Sequence, residues 1–451
     1  MRPLIITATV ALFVAGCAGS DESSVTEPDS EATSTNPTTT DLANTDPPTS
    51  ELSSESPPTE PLELEQSTDA LLEDPFAIVE QLASDELNGR NNLTDGSTAA
   101  RELLVSKLAG VIEPARRDVA GDDGLLQPYD AGTNIVGILP GRGALADEYV
   151  LIGAHYDHLG PGECDARGAT DDDICNGAAD NAAGVGAVVS IVNMINYSDL
   201  GLPGQDASAQ DEVGRRSIIV GLWDGEEDGL VGSQVYVDDP LVPLERTVAY
   251  VNFDIQAAQL SPSLANTTIL VGPETGGDVL VDAARRATDA SALDFATLSL
   301  VFGQGRSDHA SLAAAGVPTL FFTDVTNGCY HTVLDDIDHV DRDKFYLQVG
   351  TAEALVDDLL TMVTPPSYVP DTPLSTYDDA VELLELVARG EPDFELLPAD
   401  GPATSAQFLV DLQALVDAGP GAYDDVAGGV VLGGAATLIN GLAESECTLP
   451  V

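Results

Sequence analysis

Two stretches decide the fold: Tyr149-Val150-Leu151-Ile152-Gly153-Ala154-His155-Tyr156-Asp157 and Ser217-Ile218-Ile219-Val220-Gly221-Leu222-Trp223-Asp224-Gly225-Glu226-Glu227. Each is a short apolar run of strand length that ends abruptly in polar residues. A run apolar at every position, rather than alternating, is a strand covered on both faces, as in parallel sheets. Similar strand candidates are Asn134 to Leu139, Tyr250 to Phe253, Thr268 to Val271 and Val317 to Phe322. Between and after them, helical spacing is found at Ala183 to Asn196, Gly277 to Ala287, Ser307 to Ala315 and Asp343 to Val363. Strands alternating with helices predict a three-layer α/β/α sandwich around a mixed, mostly parallel central sheet.

The chain has 451 residues, more than one core usually serves, which predicts a main domain with extensions. Arg2 precedes the apolar run Leu4 to Ala15, and Val14-Ala15-Gly16-Cys17 resembles a bacterial lipobox. Residues 1–17 therefore read as a lipoprotein signal with Cys17 as the lipidated residue. Residues 18–73, rich in Ser, Thr, Pro and acids, read as a disordered tether that cannot bury enough surface to fold. Residues 74–364 form the expected catalytic domain. Several prolines follow Thr364, and residues 365–451 read as a C-terminal helical extension (Tyr377 to Arg389, Ser405 to Val416, Val426 to Leu442). The apolar stretch Gly428 to Ile439 is too short to span a bilayer. The expected location is outside the cytoplasm, on a bacterial membrane only through the lipid anchor.

The chain carries 76 acidic against 17 basic residues, a formal net charge of -59, and its only lysines are Lys107 and Lys344. Such a chain offers no basic patch for nucleic acid or anionic head groups. With Cys17 committed to lipid, Cys164, Cys175, Cys329 and Cys447 remain, an even count that favours disulfides in an exported protein. Three connectivities are open; Cys164 with Cys175 closes a short acidic loop, which leaves Cys329 with Cys447.

In open α/β sheets, ligands collect beyond the carboxyl ends of the strands. There this sequence places His155 and Asp157, then Glu226 and Glu227, then Asp254, with Asp180 before a helix and His331 after a Gly-containing turn. Singly these are ordinary: an Asp before a helix is usually a cap, and a Glu-Glu pair is usually solvated. Together they bring metal-binding side chains to one rim of one sheet. The remaining histidines, His158, His309 and His339, read as structural.

His155-Tyr156-Asp157, Gly177-Ala178-Ala179-Asp180-Asn181-Ala182-Ala183-Gly184, Glu226-Glu227-Asp228-Gly229-Leu230-Val231-Gly232-Ser233, Asn252-Phe253-Asp254 and Tyr330-His331-Thr332 occur in the order and approximate spacing of metallopeptidase family 28. The resemblance is to secreted bacterial di-zinc aminopeptidases and covers about Asp74 to Met362, with Leu82 to Arg90 similar to that family's N-terminal helix and turn. It implies two Zn2+ per chain, one held by His155, Asp180 and Asp254 and the other by Asp180, Glu227 and His331. It also implies Glu226 as general base acting on water held between the ions, Tyr330 as donor to the oxyanion, and Arg306 near the substrate amine. Asp157 would accept the second ring N–H of His155. Many relatives have two acids before the Asn, whereas Ala179 stands here; the bridging role then falls to Asp180. The implied substrates are peptides with a free N-terminus. Glutaminyl cyclase-like or carboxypeptidase chemistry, or a non-catalytic lipid-anchored binding protein, are the competing readings.

Overall fold

The computed structural model describes residues 74–165, 173–199, 214–370, 372 and 375–447. Cys17, the signal and the tether lie outside the described residues.

Among the described residues, nine strands form one sheet: β1 (Glu113–Pro114), β2 (Leu126–Tyr129), β3 (Gly132–Leu139), β4 (Tyr149–His155), β5 (Ser217–Trp223), β6 (Thr247–Phe253), β7 (Thr267–Val271), β8 (Asp294–Leu298) and β9 (Thr319–Thr323). Their order is β1-β3-β5-β4-β6-β9-β7-β8, with β2 also pairing with β3. The four central strands β5, β4, β6 and β9 are mutually parallel, as are β7 and β8. The parallel character stops there, because β3 pairs antiparallel with β5 and β7 antiparallel with β9. Strands β1, β2 and β8 are short or weakly patterned, and no apolar run announces them.

The central strands are buried on both faces, as their unbroken apolar sequence requires. On β4, Val150 and Ile152 face one core while Leu151 faces another. The first core receives α1 (Phe76–Leu82), α2 (Asp95–Leu108), α3 (Gly184–Asp199), α5 (Gly277–Ala290) and α7 (Arg342–Thr361). The opposite face receives α4 (Val231–Asp238) and α6 (His309–Ala314) through Tyr236 and Leu312. Burying both faces of the strands this way stabilises the sandwich by roughly 1.5–3 kcal/mol per large apolar side chain.

The C-terminal helices α8 (Tyr377–Gly390), α9 (Gly401–Ala418) and α10 (Asp425–Ala443) complete that second layer. Leu383, Val387, Phe408 and Val431 share one buried core with Ile269, Val271, Leu298 and Phe321, side chains of β7, β8 and β9. The predicted extension is thus the outer helical layer over one end of the sheet. A capping box of Thr376 and Asp379 starts α8, and the Asp379 carboxylate also accepts the Ser299 N–H and O–H, each at 2.8 Å. Helix α10 is longer than the apolar stretch its sequence suggests. It and the α3 segment Ala178–Asp199 are long and apolar enough to cross a membrane by length and composition. The α3 segment is a core helix, and α10 buries Ala427, Val431 and Ala435 against the second layer.

Cys164 is bonded to Cys175, and Cys329 to Cys447. The second bond joins the chain end after α10 to the loop that carries Tyr330 and His331.

Candidate metal centre

Because β4, β5, β6 and β9 run parallel, their carboxyl ends form one rim, and the polar residues that end each run meet there. His155 is the last residue of β4, Glu226 and Glu227 follow β5, Asp254 follows β6, and His331 lies in the loop after β9. Asp180 sits in a turn of Ala178–Ala183 that leads into α3, and its peptide to Asn181 is cis. The Ala179 and Asp180 N–H groups donate to the two carboxylate oxygens of Asp335 at 2.8 and 3.0 Å. Asn181 donates to the Phe253 carbonyl at 2.8 Å, fastening this turn to β6. Gly184 is required there: a Cβ would stand 1.9 Å from the Asn181 side-chain oxygen.

The Asp180 carboxylate lies between the two histidines. Its Oδ1 is 3.2 Å from His155 Nε2 and its Oδ2 is 3.3 Å from His331 Nε2. Asp254 Oδ1 is 3.3 Å from His155 Nε2, and Glu227 Oε2 is 3.1 Å from His331 Nε2. Ligand atoms about 2.0 Å from one tetrahedral zinc are separated by about 3.3 Å. A ring nitrogen carries at most one hydrogen, so it cannot serve two carboxylates equally. The donor set of imidazole and carboxylate, at these separations, fits two cations with Asp180 shared. His331 holds φ +55, a left-handed backbone that a side chain adopts only when its surroundings fix it.

The electrostatics point the same way. Burial pushes the Glu226 carboxyl well above its ordinary range, with Glu227 and Asp254 adding to the rise against the lowering effect of His155. Burial alone would lower His331, but Glu227 and Asp180 raise it to about 10. His155 is likewise raised well above its ordinary value, because Asp254 and Glu226 outweigh its burial. Burial and the Asp180 charge act upward on Glu227, yet His331 and His158 hold it at about 2. So acidic a pocket draws positive charge onto its imidazoles, the charge that metal cations supply.

The atom nearest His155 Nδ1 is the Asp157 carbonyl oxygen, at 3.2 Å, with the carboxylate at 3.6 Å. The carboxylate is engaged elsewhere, accepting the Glu226 and Glu227 N–H groups at 3.1 and 3.3 Å. Asp157 therefore orients the Glu-Glu pair as well as the imidazole. His158, read as structural, belongs to the site: its Nδ1 is 2.8 Å from Glu227 Oε1. It too could reach a cation with Asp180 and Glu227. His331 Nε2 faces two carboxylates, Asp180 and Glu227, while His158 Nδ1 is paired with Glu227. His309 is buried and stacked on Phe321.

Arg90 is fully buried beneath the site. It donates to the carbonyls of Tyr156 at 2.9 Å, Leu82 at 2.6 Å, Asn176 at 2.5 Å and Gly177 at 3.1 Å. One guanidinium thus holds the His155 strand end, the approach to Asp180 and the end of α1. Tyr330 stacks on His331 with ring centroids 3.8 Å apart, and exposed Arg306 lies 5.7 Å from the Tyr330 ring.

Residues 134–350 match the model of Peptidase family M28. Among curated proteins, the chain is 28% identical over 232 residues to "Probable glutamate carboxypeptidase VP8" of Zea mays, covering 48% of this chain and 28% of that one. It is 28% identical over 218 residues to a vacuolar membrane protease of Colletotrichum graminicola, covering 47% and 17%. To aminopeptidase NAALADL1 of Rattus norvegicus it is 26% identical over 266 residues, covering 52% and 32%. The matched region spans less than a third of each of these relatives. Among solved structures, the LapA aminopeptidase of Legionella pneumophila aligns at a TM-score of 0.49 with 19% identity, covering 69% of this chain and 79% of that one. Porphyromonas gingivalis glutaminyl cyclase aligns at 0.46 with 17% identity, covering 63% and 96%.

Proposed function

Taking the match of residues 134–350 to Peptidase family M28 as the premise, we propose that this chain is a zinc-dependent aminopeptidase. The observation that carries the proposal is the Asp180 carboxylate shared between His155 and His331, with Asp254 and Glu227 at the outer positions. His155, Asp180 and Asp254 would hold one Zn2+, and Asp180, Glu227 and His331 the other. Zinc in such a site supplies Lewis acidity toward the peptide carbonyl and makes water more acidic.

The protein's own groups do the rest. Glu226 is buried at the cavity wall and held by Asp157 through its backbone N–H. Its carboxylate takes a proton from the attacking water and returns it to the leaving amine as the C–N bond breaks. Tyr330 lines the same cavity, and its hydroxyl would donate to the oxygen that becomes negative. Apart from the residues given to zinc, the charged side chains lining the adjoining cavity are Glu226, Asp393 and Glu446 against Arg306. This balance favours a substrate that presents a free ammonium over one that presents a C-terminal carboxylate.

A panel of aminoacyl amides, N-blocked peptides and N-terminal glutaminyl peptides, assayed with chelator and with added zinc, tests the reading. Unblocked amides should be cleaved only with metal, and blocked peptides should resist. Cleavage of blocked peptides from the C-terminus, or cyclisation of glutamine with one bound zinc, would replace it.

Export with a lipid on Cys17 is part of the same proposal. The Val14-Ala15-Gly16-Cys17 motif supports it, as do two disulfides, which persist in oxidising compartments. A Cys17→Ser protein that stays in the membrane fraction would refute the anchor.

A further inference from the structure

Lys344 is one of only two lysines in the chain, yet its side chain and that of Asp324 are both fully buried. Lys344 and Gln348 stand one turn apart on α7, and Asp324 follows directly on β9. Lys344 Nζ lies 3.0 Å from Asp324 Oδ1 and donates to the carbonyls of Ala258 at 2.6 Å and Thr267 at 2.8 Å. The Asp324 carboxylate also accepts from the Ala258 N–H, the Thr268 hydroxyl and the Gln348 amide, at 2.9 to 3.0 Å. A buried ion pair adds little stability by itself, because desolvation offsets the attraction. What these three side chains hold in common is a short stretch of backbone, residues 255–258, which begins immediately after Asp254.

The Ile255 carbonyl accepts the Asp324 N–H at 2.8 Å, and the Ala257 N–H donates to Gln348 Oε1 at 2.8 Å. Ala258 is bonded through both its N–H, to Asp324, and its carbonyl, to Lys344. Ile255 and Ala257 have φ of +57 and +59, left-handed conformations that side chains adopt only where the surroundings fix them. Between them, the Gln256 N–H donates to the Ala179 carbonyl at 3.2 Å, next to Asp180. The network thus reaches two carboxylates of the candidate metal centre through the backbone of their neighbours.

We propose that Asp324, Lys344 and Gln348 are positioning residues for zinc. They fix the turn 255–258, and through it the direction from which Asp254 meets the cation it shares with His155 and Asp180. A ligand held in place before the metal arrives binds it more tightly, since less ordering is left for the binding step. This rests on the two-zinc reading of the site, but not on the reaction or the substrate.

Three variants of the full chain, all on α7, test it. Lys344→Met removes the buried cation. Gln348→Met removes the acceptor of the Ala257 N–H while leaving Asp324 paired with Lys344. Val356→Ala trims a buried core side chain further along the same helix. Each protein is titrated with zinc against a competing chelator, and thermal midpoints are measured on the same metal-free preparations. Lys344→Met and Gln348→Met should weaken one of the two zinc ions by about tenfold or more, and excess zinc should restore two ions per chain. Val356→Ala should lower the midpoint and leave both zinc affinities at their wild-type values. Wild-type zinc affinity in Gln348→Met would overturn the proposal, as would an equal loss in Val356→Ala at a matching midpoint. Should Lys344→Met fail to fold, Gln348→Met decides alone. A wild-type chain that takes up fewer than two zinc ions would overturn the two-zinc reading itself, and this proposal with it.

Discussion

His158 Nδ1 stands 2.8 Å from Glu227 Oε1, while His331 Nε2 is 3.1 Å from the other oxygen, Oε2. Glu227 is therefore held by two imidazoles, one at each carboxylate oxygen. His158→Ala should weaken zinc at the Asp180–Glu227–His331 position about 10–100-fold, the usual cost of losing a partner that orients a ligand. Chelator competition measures this, and His158→Gln should recover part of the loss by restoring a donor. Equal affinity in all three proteins would assign His158 to packing alone.

Glu226 is buried beside the site, close enough to His155 and Glu227 to reach the same cation. Glu226→Gln should lower kcat by about 10²–10⁴-fold while two zinc ions per chain are retained. Turnover numbers and metal analysis on the same preparation check both halves. Loss of metal together with activity would make Glu226 a ligand.

Arg90 satisfies four buried carbonyls from three segments. Arg90→Met should cost at least about 3 kcal/mol in denaturant unfolding, since those oxygens would lose charged donors without gaining water. Arg90→Lys should not rescue it, because one ammonium cannot span the fork. A variant within 1 kcal/mol (roughly) of wild type would remove Arg90 from this role.

Glu274 lies at the start of the turn between β7 and α5, and burial raises its carboxyl to about 7 even though it accepts the Leu300 N–H at 2.7 Å. The folded chain therefore holds this proton where the unfolded chain has released it. The resulting stability is complete below the ordinary value of 4.5 and is lost as pH rises toward about 7. Allowing for its partial exposure, the loss is on the order of 2 kcal/mol. Glu274→Gln should flatten the decline between these pH values and be the more stable protein at pH about 8. Melts at several pH values check it; parallel profiles for both proteins would show no linkage.

The sequence by itself determined the sheet centre and the rim. Unbroken apolar runs such as Val150 to Ala154 and Ile218 to Trp223 can be satisfied only by burial on both faces, and their polar ends mark where the chain leaves the sheet. His155, Asp180, Glu227, Asp254 and His331 could thus be gathered on one rim from local pattern and family resemblance. What tertiary structure alone decided is everything that depends on a partner distant in sequence. His158 meets Glu227 across 69 positions, and Arg90 meets Tyr156 and Gly177 across 66 and 87. Helices α8 to α10 were legible as helices, but not as the second layer over β7 and β8, nor were α8 and α10 legible as walls of a cavity. Periodicity reports which face of an element is apolar; which surface covers that face is fixed only when the whole chain has packed.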